Sequence, residues 1–153
     1  MATRGGRRCR APGDPCRSRG CAGADRVHAV SARYLVDTNI VLWGWHEPHR
    51  LSQKQRALLA SEAELCVSVA TIWEICIKAA IGKLETVPNI ADALISTGYV
   101  ILPIKPEHAE AVRNLPFHHH DPFDRLLIAQ ARLESLMIVT ADRHFSRYDI
   151  DLA

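Results

Sequence analysis

The sequence predicts an α/β domain built on a parallel sheet, and three observations carry that class. Short β-like runs alternate with longer helical stretches, the order that produces βαβ units. The short runs are apolar throughout rather than alternating, as strands are when both sheet faces are covered. A chain of 153 residues, 48% hydrophobic and 24% charged, is ordinary for a globular protein with one real core.

Residues 33–36 open the domain as its first strand, and residues 39–45 follow as a helix beyond Asp37. A second helix is expected over 52–61, then a strand over 65–69 running into a helix over 70–81. Gly82 stops that third helix, with Lys78 and Lys83 near its negative dipole end. A helix over 89–97, a strand over 99–104 and a helix over 106–114 come next. Asp121 followed by Pro122 is a strong start signal, since proline suits the first helical position, and a helix runs over 122–134. Residues 136–140 form a further strand, a short turn follows Asp142, and 148–152 is a weak fifth strand. No apolar run approaches the roughly 18 to 20 residues that span a bilayer, so no membrane is expected among the partners.

Charge is unevenly placed. Residues 1–33 hold eight Arg against Asp14 and Asp25, a net of +6. The other 120 residues hold 11 Lys and Arg against 15 Asp and Glu, a net of −4. The domain is therefore acidic and lacks the basic stripe that usually grips a polyanion. It would meet a phosphate backbone through metal ions and a few local cations. Residues 1–32 are rich in Arg, Gly and Cys and read as a disordered leader before a domain over 33–153. They lack the apolar centre of a secretory signal, and an over-extended start, with the native chain beginning near Val27 or Val30, is the simpler account. Cys9, Cys16 and Cys21 do not follow zinc-finger spacing. Cys66 and Cys76, among apolar neighbours, are expected to be buried free thiols in a reducing, cytoplasmic setting.

Four acids stand at or inside apolar segments, where an unpaired carboxylate is costly: Asp37, Glu74, Asp124 and Asp142. Each has a purely structural alternative. Asp37 can cap the helix after it, and Glu74 can pair with Lys78 one turn on. Asp124 can complement the first turn of its helix, and Asp142 can cap the turn that follows. Asp121 fits a cap better than Asp124 does. Asp37 follows the first strand, and Asp142 lies two residues beyond the strand ending at Thr140. Ligands in open parallel sheets bind outside the carboxyl ends of strands, so neighbouring strands would bring both acids to one edge. One pocket gathering four carboxylates around divalent metal explains them together, and oxygen donors suit Mg²⁺ or Mn²⁺ rather than zinc. Asn39 and Thr140 are candidates to position a metal-bound water or substrate, and Arg125 to hold a carboxylate or contact phosphate. His118, His119 and His120 are consecutive, and three consecutive side chains do not easily converge on one ion, so no metal role is assigned to them.

Taken in order, these segments resemble the PIN-domain ribonucleases, and most closely the VapC toxins of bacterial type II toxin–antitoxin modules. The likeness is carried by Leu35-Val-Asp-Thr-Asn-Ile, Trp73-Glu, His120-Asp-Pro-Phe-Asp-Arg-Leu-Leu-Ile-Ala-Gln-Ala and Val139-Thr-Ala-Asp, and runs from about Arg33 to the C-terminus. It implies a compact three-layer fold around a parallel sheet of five strands. It implies an acidic metal site onto which Asp37, Glu74, Asp124 and Asp142 map, with Asn39 and Thr140 lining it. It also implies a Mg²⁺- or Mn²⁺-dependent endoribonuclease, a homodimer, and a small cognate antitoxin whose C-terminal segment crosses the site while its other end binds operator DNA. Trp43, Trp45 and Ile72 are expected in that contact. Two readings from other classes stay open. A haloacid-dehalogenase-like phosphohydrolase also sets Asp after its first strand, but normally needs a second Asp where Asn39 stands. A non-catalytic module would use the acids only to hold a peptide.

Overall fold

In this computed structural model, which describes residues 32–153, four strands form one parallel sheet. They are β1 (Arg33–Val36), β2 (Glu64–Ser68), β3 (Val100–Leu102) and β4 (Met137–Val139), in the order β3-β2-β1-β4. The expectations about the leader, its disorder, its over-extended start and its three cysteines concern residues 1–32, all but the last of which lie outside that range. β1 is central: Leu35 stands opposite Cys66 on one side and Ile138 on the other. The chain steps outward from β1 through β2 to β3, then returns to the far side of β1 for β4. The strand order therefore reverses between β1 and β4, the switch point where open α/β sheets bind ligands.

Among the described residues six α-helices cover the sheet: α1 (Thr38–His46), α2 (Gln53–Leu59), α3 (Val69–Ala80), α4 (Ile90–Ser96), α5 (Pro106–Ala111) and α6 (Pro122–Glu134). Successive strand side chains point to opposite faces, and two cores result. Val36, Val67 and Val139 pack with Ile40 and Val41 of α1, Ile75 of α3 and Leu94 of α4. Leu35, Cys66 and Ile138 pack on the other face with Leu127, Ile128 and Ala131 of α6 and with Phe145. Local chemistry sets the helix ends. Gly82 takes φ +70 after α3, and the Lys83 N–H returns to the Lys78 carbonyl at 2.9 Å. The Asp121 carboxylate accepts the Phe123 N–H at 2.8 Å, capping α6 ahead of Pro122.

Three expectations change. The sheet has four strands among the described residues, not about five. Residues 148–152 give only one parallel bridge, Ile138 to Leu152, because the Ile150 N–H turns back to the Tyr148 carbonyl. The strand expected over 99–104 ends at Leu102, before Pro103, which has no N–H to extend a ladder. Cys66 is buried but Cys76 is exposed, one residue past Ile75 and turned off the buried face of α3. No helix among the described residues is long and apolar enough to cross a membrane.

Candidate metal centre

β1 delivers Asp37 to the switch point. Its N–H donates to the Val139 carbonyl at 3.0 Å, continuing the β1–β4 ladder one step beyond the strands. The side chain makes no cap bond to α1, so the structural alternative for this residue is not realised. The Thr140 hydroxyl donates to Asp37 Oδ2 at 2.9 Å, whereas Oδ1 is buried with no hydrogen-bond partner. The residue is only 2% exposed. Burial pushes its carboxyl up to about 6, against the Thr140 hydroxyl and nearby Asn39 and Thr38 N–H groups that approach without closing a cap.

Glu74 comes from the middle of α3 and is 9% exposed. The Thr38 hydroxyl donates to Oε2 at 2.6 Å, and Lys78 Nζ lies 2.5 Å from Oε1. The pairing with Lys78 is therefore present, but it is one of two groups that fix this carboxylate. Glu74 also lies close enough to Asp37 and Asp124 for its charge to raise both of their pKa values. Three carboxylates are electrostatic neighbours.

Asp121 caps α6, which leaves Asp124, one turn in, within reach of the charges of Asp37 and Glu74. Burial, then the charges of Asp37 and Asp121, push the Asp124 carboxyl up to about 7. Asp142 caps the 3₁₀ helix Arg143–Arg147, with Oδ1 accepting the His144 N–H at 2.8 Å. Burial opposes its ionisation, but that N–H and the His119 and His144 rings hold its carboxyl down to about 2. Thr140 ties the two strand ends together, since its oxygen accepts the Asp142 N–H at 3.0 Å while its hydroxyl serves Asp37.

Sequence reasoning missed His119. Its Nε2 lies 3.1 Å from Asp124 Oδ2 and 3.0 Å from Asp142 Oδ2, joining two acids from different elements. Its Nδ1 accepts the Asp121 N–H at 3.1 Å, so Nε2 is the protonated nitrogen and a donor. Nitrogen and oxygen atoms of His119, Asp142 and His144 lie within 4.8 Å of one another, a spacing that also suits a metal. Ligation by His119 would require the proton on Nδ1, where the Asp121 N–H already points. We read His119 as a clamp on two carboxylates. The three histidines point to different partners, His118 meeting Tyr148 and His120 meeting Phe117 edge-on.

Among the described residues, Arg125 holds neither a carboxylate nor an open phosphate position, contrary to the expectation from sequence. Its guanidinium donates to the carbonyls of Pro116 and Val112 at 2.9 Å and of Leu115 at 3.2 Å. It is buried under the Phe117 ring and supports the loop that carries His119, with its described bonds going to backbone rather than to a carboxylate. Asn39 is exposed at the start of α1, and Thr140 is half-buried.

An unpartnered buried carboxylate oxygen, and two carboxyls raised toward neutrality, mark a pocket short of positive charge. By donor chemistry the carboxylate oxygens of Asp37, Glu74, Asp124 and Asp142 suit a hard divalent cation, while among the described residues the ligand atoms within 4.8 Å of one another are those of His119, Asp142 and His144. Together these features define a parallel α/β domain with neighbouring carboxylates at its switch point. The chain belongs to the PIN domain family, which matches residues 34–151. Its fold is similar to VapBC2 from Rickettsia felis bound to a promoter DNA fragment (TM-score 0.61, 16% identity, 79% of this chain and 97% of that one). It is also similar to DNA-bound VapBC from Salmonella typhimurium (TM-score 0.56, 18% identity, 79% and 96%). A toxin–antitoxin complex from Klebsiella pneumoniae is a third such structure (TM-score 0.55, 20% identity, 78% and 96%). No curated protein sequence matches the chain.

Proposed function

We propose that this protein is a Mg²⁺- or Mn²⁺-dependent endoribonuclease, acting in the cytoplasm as the toxin of a type II toxin–antitoxin module. The observation that carries the reading is Asp37, buried with a free oxygen, close enough to Glu74 and Asp124 for their charges to act on one another and tied through Thr140 to Asp142. Membership of the PIN domain family and a fold shared with toxin–antitoxin complexes support it.

Asp37, Glu74, Asp124 and Asp142 would hold the cation, which would supply a water of lowered pKa and charge stabilisation for phosphodiester hydrolysis to a 5′-phosphate and a 3′-hydroxyl. The chain's own residues preorganise that site. Thr140 fixes Asp37 so that Oδ1 is the free oxygen, Thr38 and Lys78 orient Glu74, and His119 keeps Asp124 and Asp142 together against their mutual repulsion. Asn39, at the exposed start of α1, and Thr140 position substrate or water.

A small cognate antitoxin neutralises the enzyme by laying a segment across the pocket and offering a basic side chain to the acids; operator DNA is bound only through it. A homodimer is supported by apolar exposure on α3 and just past its end, where Trp73 is 56% and Ile81 59% exposed. Expression of wild type and Asp37→Ala, with sequencing of new RNA 5′ ends, tests the activity. New ends and growth arrest belong to wild type alone; equal toxicity with unchanged ends sinks the reading.

A further inference from the structure

A cavity of about 530 Å³ adjoins the acids through Lys78, and the carboxylate chemistry makes no use of it. Trp43, Arg50, Lys78 and Lys83 line it, with Glu47 and Glu85 also on its wall. In a domain that is acidic overall, three cationic side chains line one cavity, two of them paired with Glu47 and Glu74 and the third, Lys83, exposed. The Arg50 guanidinium lies 4.3 Å from the centre of the Trp43 ring. Its side chain is 47% exposed, which leaves an outer planar face open. Lys78 is the link to the site: its Nζ sits 2.5 Å from Glu74 while its side chain lines the cavity.

We propose that this cavity binds the single-stranded RNA flanking the cut phosphodiester, a deepening that rests on the nuclease reading above. One base stacks on the Arg50–Trp43 platform, and the adjoining phosphates meet Lys78 and Lys83. Bases pack on aromatic rings and on guanidinium planes with little sequence preference, and cations beside such a platform neutralise backbone phosphate. Continuity argues for RNA over a protein segment: a strand whose reacting phosphate lies at Glu74 passes Lys78 on leaving the pocket. The Glu47–Arg50 pair, at 3.1 Å, is half-exposed on both sides and weak enough to yield to phosphate.

The test uses Trp43→Leu, which keeps apolar volume against the core but has no π-face, and Trp43→Phe, which restores one. Binding of a labelled single-stranded RNA of about 12 nucleotides, with Ca²⁺ replacing the catalytic metal, is read by fluorescence anisotropy. Trp43→Leu weakens it roughly five- to a hundredfold, and Trp43→Phe recovers most of the loss. Lys83→Glu, on an exposed side chain, weakens it several-fold and reduces the salt slope by about one. In cleavage assays KM rises with kcat little changed, while the thermal shift produced by Mn²⁺ stays at its wild-type size. Wild-type RNA binding in both Trp43→Leu and Lys83→Glu overturns the proposal. Loss of inhibition by the small protein encoded beside it, with RNA binding intact, also overturns it and makes the cavity a protein-docking surface. Wild type that neither binds nor cuts RNA fails the nuclease reading itself.

Discussion

Asp37 is nearly fully buried with one carboxylate oxygen unpartnered. Asp37→Asn keeps the shape and an acceptor for Thr140 while removing the charge. In metal-free buffer at neutral pH the variant is expected to be more stable than wild type by about 1–3 kcal/mol, since the native carboxyl is pushed up to about 6. RNA cleavage is expected to fall on the order of a hundredfold or more, as for loss of a metal-site group. Urea titrations in EDTA beside a cleavage assay read both; a variant both less stable and still active refutes the assignment. His119 makes the converse prediction. His119→Ala leaves Asp124 and Asp142 facing each other without the shared Nε2–H donor. Metal-free stability is expected to drop by about 1–2 kcal/mol, with most of it restored in His119→Gln, whose amide can still donate. Equal urea midpoints for His119→Ala and wild type would remove the clamp.

At the scale of elements, legibility tracked how local the cause was. β1 and α6 have the bounds expected from sequence because an apolar run and the Asp121-Pro122 pair specify them without help from elsewhere. The strand at 148–152 failed because apolar content does not reveal that the Ile150 N–H is taken by Tyr148. The site divides in the same way. Strand ends placed Asp37 and Asp142 on one edge, since β1 and β4 do pair, whereas the inward turn of His119 depends on Tyr148 accepting its N–H from 29 residues away. Arg125 misled for a related reason: a cation next to an acid reads as its partner, but the loop over 112–117 wraps its carbonyls around the guanidinium. Arg125→Leu strands those three carbonyls and is expected to cost about 3 kcal/mol or more, each lost partner contributing about 1 kcal/mol or more. The urea midpoint should fall accordingly, and a shift equivalent to less than about 1 kcal/mol would show that the loop is held by other contacts.

For the whole molecule, the gathered carboxylates make folding oppose ionisation, and the sign can be followed group by group. Asp37 and Asp124 have native carboxyls raised to about 6 and about 7, above their unfolded values near 4. Their contribution to stability is therefore fully present below about pH 4 and is lost as pH rises through 6 and 7. Asp142, held down to about 2, acts oppositely: its contribution is present above about pH 4 and is lost as pH falls toward 2. Metal-free protein is thus expected to be most stable near pH 4 to 5 and to weaken toward pH 7.5. A divalent cation binds the ionised pocket and not the unfolded chain, so its stabilisation grows over the same range in which the acids lose theirs. At a hundred times its dissociation constant the gain is about 2.7 kcal/mol. Thermal melts with EDTA or Mn²⁺ at pH 5 and pH 8 separate the cases: the shift is expected to be small at the lower pH and several degrees at the higher. Equal shifts at both pH values, or none at either, would mean that these carboxylates do not hold the ion.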